Sequence, residues 1–179
     1  MRLKICFAAA AATLLSSSPA FAQAVATANA AAEARGVVLQ PLTLTKLSDL
    51  DFGWVISTNT AGSVSVSAET GARSASGGVG LVAGQNGGRG SFAGAGTAGN
   101  QVVLTLNPAA VLTSTTNPAN TINVSDMRLD GCGVACVTDT RTINNSGAFQ
   151  VGVGGDFDIA ANQPNGLYTA TFDLTAEYQ

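Results

Sequence analysis

The chain has 179 residues, of which 46% are apolar and only 11% charged, with a formal net charge of −3 and no histidine. A weakly acidic chain without a basic run offers no footprint for nucleic acid or for an anionic membrane surface. The missing histidine excludes Ser-His-Asp and Cys-His nucleophile systems and every histidine metal site, and so high an apolar fraction is not that of a disordered chain.

Residues 1–22 read as an export signal. Arg2 and Lys4 give a positive start, and residues 5–15 an apolar core shorter than the ~20 residues that span a bilayer. Residues 16–19 break that core, and Ala20-Phe21-Ala22 is a small-x-small cleavage site. Cleavage after Ala22 leaves 157 residues with six basic and eleven acidic side chains and no membrane span, the size of a single domain. Cys6 sits inside the apolar core and not at the cleavage site, which argues against a lipid anchor. Its loss leaves Cys132 and Cys136 as the only thiols. All 21 glycines fall after the signal, among many Ser, Thr, Asn, Ala and Val, the profile of short strands joined by glycine-rich turns.

Residues 23–36 place alanine at every even position: Ala24, Ala26, Ala28, Ala30, Ala32 and Ala34. As a strand, one face would carry six methyls. As a helix, alanine is the best former; as a terminus, the segment is a candidate for a loose tail. The expectation carried forward is a donor strand that orders only on adding to another subunit. Six methyls would contribute at most about 5 kcal/mol. A ladder of about ten backbone hydrogen bonds, at roughly 0.5–1.5 kcal/mol each, would contribute more.

The domain proper is expected over residues 37–179. Residues 37–46 read as a strand in which Pro41 leaves a free edge. In the next run Leu50, Phe52, Trp54 and Ile56 alternate, which makes Trp54, the sole tryptophan, a core anchor rather than a ligand platform. Residues 57–62 carry turn chemistry, and residues 63–67 a two-faced strand. Short strands are expected near residues 79–82 and 91–95, with Phe92 facing in. Gly94, Gly96 and Gly99 spell GxGxxG, but a dinucleotide site needs a helix after it, and residues 101–106 read as a strand with Val102, Leu104 and Leu106 on one face. Residues 121–129 form a further strand, with Ile122 and Val124 inward. Phe149, Val151 and Val153 mark one strand, and Phe157 and Ile159 another. Gln163-Pro164-Asn165-Gly166 is a strong turn.

Cys132 and Cys136 bracket three residues. In an oxidising compartment a local disulfide is expected; zinc wants four ligands, and redox dithiols usually enclose two residues, not three. The carboxylate pairs Asp49/Asp51, Asp126/Asp130 and Asp156/Asp158 are the only remaining chemistry. Asp156 and Asp158 would share a strand face, which suits a calcium ion or glycoside hydrolysis, although solvated polar faces explain such pairs more often. No catalytic residue, cofactor or metal is expected.

In residues 166–179, Tyr168, Ala170, Phe172, Leu174, Ala176 and Tyr178 alternate with polar residues, a long strand with one buried face. Its layout resembles the C-terminus of bacterial chaperone–usher pilus subunits: Tyr178 is next to last and Gly166 stands fourteenth from the end. An ordinary secreted β-sandwich also fits. The segments PLTLTKLSDLDFG and GAFQVGVGGDFDIAANQPNGLYTATFDLTAEY, with Asp51-Phe52-Gly53 and Gly166-x-Tyr168 as their more specific points, are similar to a bacterial secreted family called domain of unknown function 4402. The resemblance implies an all-β, immunoglobulin-like sandwich, incomplete as in pilins. It further implies a non-enzymatic filament subunit at the cell surface, reached through the periplasm. Its partners would be copies of itself, a periplasmic chaperone and an outer-membrane usher, with Gly166, Tyr168, Phe172, Leu174 and Tyr178 on the assembly strand. The alternative is a monomeric secreted or outer-surface binding module.

Overall fold

The computed structural model describes residues 28–179, so the expected export signal, together with Ala24 and Ala26, lies outside the described residues. Residues 28–36 carry no helix or strand and are exposed throughout, Ala28, Ala30, Ala32 and Ala34 included. Residues 37–179 form one compact unit.

That unit is all-β, and no helix occurs among the described residues. Its strands are β1 (Thr43–Ser48), β2 (Val55–Val66), β3 (Arg73–Leu81), β4 (Gly90–Ala95), β5 (Gln101–Asn107), β6 (Val111–Ser114), β7 (Thr121–Leu129), β8 (Thr138–Thr142), β9 (Ala148–Ile159), β10 (Tyr168–Thr169) and β11 (Asp173–Tyr178). A larger sheet of eight strands runs β1-β4-β9-β7-β6-β10, with the β2–β3 hairpin joined through β2 to β9; a smaller sheet runs β11-β5-β8. Every pairing is antiparallel.

Period-two burial builds the core. Val102, Leu104 and Leu106 of β5 meet Met127 and Leu129 of β7 and Phe149, Val151 and Val153 of β9, so the apolar faces of the two sheets bury one another. A second cluster gathers Val64 and Val66 of β2, Ile122 of β7, and Phe157 and Ile159 of β9. Phe52 closes it edge-on to Phe157, ring centroids 4.3 Å apart. Both clusters lie along β9, which is one continuous strand rather than the two expected. Residues 148–153 of β9 pair with β4 and residues 155–159 with β2, both along one edge, while β7 takes the other edge. Glycine marks the changeover because a Cβ on Gly154 would overlap the Val66 carbonyl and the Ala68 amide.

Four other expectations are corrected. Residues 37–42 are not in a strand; β1 begins after Pro41. Residues 57–62 are not a turn between strands but lie inside β2, where residues 58–61 bulge out opposite Gly78. The bulge bends the hairpin, and Val55 and Val79 pack on the same cluster as Val64 and Val66. Trp54 is not a core anchor: it is 66% exposed. Gly53, at φ +70°, rotates the chain between Phe52 and Trp54, so the alternation that buries one exposes the other. Finally, residues 168–178 are not one strand. The ladder stops at Thr169 and resumes at Asp173 in the other sheet.

Candidate functional site

β11 pairs with β5 from Asp173 opposite Asn107 to Tyr178 opposite Val102. Among the described residues no strand pairs with its other edge, and β1 likewise pairs only with β4. These two open edges approach each other at the rim where the sheets meet. The inward side chains behave differently on neighbouring strands. Val102 and Leu104 of β5 are 0% exposed, whereas Leu174, Ala176 and Tyr178 of β11 are only partly buried, as are Leu42, Leu44, Phe92 and Phe172 around them. The strip between β1 and β11 therefore has an apolar floor, and its backbone N–H and C=O groups face outward without ladder partners.

Both ends of the strip are tied across. At one end the Tyr178 hydroxyl donates to the Gln40 carbonyl at 2.8 Å and accepts from the Thr97 N–H at 2.7 Å, while the Gln40 N–H donates to the Thr97 hydroxyl at 2.7 Å. At the other end Phe172 meets Phe92 edge-on, centroids 6.1 Å apart. β11 thus runs antiparallel to β1. The GxGxxG run has a packing explanation here. A Cβ on Gly96 would overlap the Tyr178 hydroxyl, and one on Gly94 would overlap the Phe149 ring. A strand follows the run where a dinucleotide site needs a helix.

The residues expected on one assembly strand divide between two places. Phe172, Leu174 and Tyr178 belong to the open strip. Gly166 and Tyr168 do not: Tyr168 pairs with Ser114 of β6, packs on the second cluster, and donates its hydroxyl to the Pro164 carbonyl at 2.7 Å. The tie from Tyr178 to Gln40 and Thr97 escaped sequence reasoning; small Gly96 was its only trace.

The expected disulfide is present, with Cys132 and Cys136 joined at 2.01 Å; such bonds belong to oxidising compartments. The carboxylate pairs are met by cations, hydroxyls and backbone amides: Asp49 faces Lys46 at 2.6 Å, and Asp51 accepts from the Gly53 N–H at 2.7 Å. Asp126 and Asp156 stand directly opposite on β7 and β9, a repulsive arrangement, and the Arg128 guanidinium joins them, 3.0 Å from Asp156. The hydrogen bond to Asp156 is the main cause that holds the Arg128 pKa above its ordinary value, against desolvation. Asp130 faces Arg141 at 2.9 Å, and Asp158 accepts from the Ser125 hydroxyl at 3.3 Å. Among the described residues no three acidic or thiol side chains are grouped so as to hold a metal ion, and no helix is long and apolar enough to cross a membrane.

One family's sequence model, described as Domain of unknown function (DUF4402), matches residues 42–178. No curated protein and no solved structure matches the chain.

Proposed function

We propose that this chain, which belongs to the family described as Domain of unknown function (DUF4402), is a structural subunit of an exported filament, built by lending a strand from one copy to the next. Its fold is read as an immunoglobulin-like sandwich with one strand position left open. The observation that carries this reading is the unpaired edge of β11, whose inward side chains are half-covered while those of β5 beside it are sealed. A strand laid between β1 and β11 would run parallel to one and antiparallel to the other, because those two are antiparallel to each other; seating it would part them, since they approach within 8 Å in places and an intervening strand needs about 9.5 Å. Its donor is the alanine-alternating segment 23–35, whose described part lies exposed and unpaired.

The energetics are modest. β11 offers six residues, enough for about three ladder bonds, and a similar number on β1 gives roughly 3–9 kcal/mol in all at 0.5–1.5 kcal/mol each. That is less than a ten-bond ladder, so the floor under Phe172, Leu174 and Ala176 must supply the remainder through apolar burial. Alanine methyls at the donor's inward positions suit a shallow floor of this kind.

The test is size distribution by light scattering for three samples: the chain from residue 23 onward, the same chain lacking residues 23–35, and that deletion with a peptide copying the missing segment. Polymers are expected from the first, monomers from the second, and a stabilised monomer–peptide complex from the third. Polymers from the deletion, or indifference to the peptide, would overturn the reading. The exposed Trp54 favours a second reading, a monomeric outer-surface binding module.

A further inference from the structure

Six basic side chains follow the expected export signal: Arg35, Lys46, Arg73, Arg89, Arg128 and Arg141. Five of them are held by the folded domain. Lys46 stands in the β1–β4 ladder opposite Phe92. Arg73 stands in the β2–β3 ladder opposite Val66, its guanidinium on the Phe52 carbonyl at 2.6 Å. Arg89 lies between Gly88, bonded to Asp51, and Gly90, paired with Val153, and donates to the Ala68 carbonyl at 2.8 Å. Arg128 and Arg141 sit within β7 and β8 and face Asp156 and Asp130. Arg35 differs in backbone and side chain alike. Residues 28–39 carry no helix or strand. Among the described residues, the first hydrogen bond of this backbone to the domain is the one from the Gln40 N–H to the Thr97 hydroxyl. The Arg35 side chain is 85% exposed.

The backbone sets what can act there. A peptidase draws its substrate into the cleft as an extended strand, main chain to main chain, so a bond inside a ladder must first leave it. Opening costs run from near zero in loose segments to the full stability of the domain in core strands, and cleavage follows the opened population. The Arg35–Gly36 bond needs no opening. Its neighbours are small: Ala31, Ala32 and Ala34 precede it and Gly36 follows, so no bulky side chain beside the bond obstructs a cleft. The ion pair from Arg35 to Glu33, at 2.6 Å, has both side chains in solvent, and exposed pairs of this kind contribute little. The guanidinium is therefore free to enter a specificity pocket.

We propose that Arg35–Gly36 is a processing site for a trypsin-like serine peptidase, one whose specificity pocket carries a carboxylate for the guanidinium. The enzyme's serine oxygen attacks the Arg35 carbonyl carbon, the bond to the Gly36 nitrogen breaks, and Gly36 leaves as an amine with the proton the serine lost. Water then hydrolyses the acyl ester and leaves Arg35 with a free carboxylate. The cut separates residues 23–35 from a domain whose core does not include them, since both clusters lie within residues 37–179. The consequence, which rests on the filament reading, is directional: a cut subunit still receives a strand but has none to lend, so it ends a filament.

The monomeric fraction of the chain from residue 23 onward is digested with limiting trypsin, and the products are read by intact-mass spectrometry. The first cut is expected after Arg35, at roughly a hundredfold or more the rate at any other basic residue. It should leave a product that begins at Gly36 and keeps the dichroism of the uncut chain. Arg35→Gln should remove that cut and yield no new early one. First cleavage at Lys46 or beyond, a product that loses its folded dichroism, or early cleavage of the Arg35→Gln chain overturns the proposal. The filament consequence is read separately: cut product added to intact chain should shorten the polymers seen by light scattering. Cleavage at Arg35 without shortening overturns the filament reading and leaves the processing site standing.

Discussion

Arg128 shows what single side chains do in this molecule. Antiparallel pairing sets Asp126 directly opposite Asp156, and the register of the two strands fixes that repulsion. The guanidinium is the group that reconciles them, and it is largely enclosed, with 18% of its side chain exposed. Arg128→Gln leaves two facing carboxylates with no cation between them. A loss of about 2 kcal/mol is expected in urea unfolding, between the small worth of exposed pairs and the 3–5 kcal/mol of fully buried ones. Adding Asp126→Asn to that variant should recover part of the loss, because the repulsion then disappears; a double-mutant cycle measures the share. Gly53 acts at the same scale but through the backbone. Its positive φ is why Phe52 and Trp54, two positions apart in an alternating run, end on opposite sides of the fold. Alternation is legible in sequence, whereas the dihedral that resets it is not.

At the scale of elements, the strands that read clearly were those with unbroken period-two burial. β5 buries Val102, Leu104 and Leu106 as its sequence implies. β7 spans the expected residues, although a bulge between Val124 and Asp126 shifts its later inward positions to Met127 and Leu129. The short strands β6 and β8 carried no such signal; Thr138–Thr142 is polar throughout and is placed by pairing with β5 rather than by its own pattern. β9 looked like two strands because Gly154 and Gly155 interrupt its apolar residues, and the reason for those glycines is a neighbouring backbone that only the fold reveals. The final run misled in the opposite sense. Its alternation continues through Ala170 while the backbone leaves one sheet for the other, so half of the expected assembly strand belongs elsewhere. The Cys132–Cys136 loop is likewise local. Reduction should cost about 2 kcal/mol in the chain-entropy model, equivalent to a fall in Tm of roughly 4–8 °C for a domain of this size. Calorimetry with and without reductant measures it, and complete unfolding on reduction would contradict a merely local role.

For the molecule as a whole, the two hydrophobic clusters share β7, β9 and Leu50, so neither half can lose its packing without exposing the other. Residues 37–179 should therefore unfold in urea as one transition, with Trp54 fluorescence and far-ultraviolet dichroism coinciding. Separate midpoints would show that the β2–β3 hairpin melts alone. The all-β class was evident from composition. The location of the open strip was not, because an unpaired edge depends on which strands become neighbours. The division of the closing residues between β10 and β11 has its own consequence for how the chain is completed. Both sheets gain their last member from the same dozen residues, and until these arrive the inner face of β5 is bare along one side. A chain emerging from a ribosome or a pore in sequence order must therefore wait with that surface uncovered, and this interval is when a folding helper has most to shield.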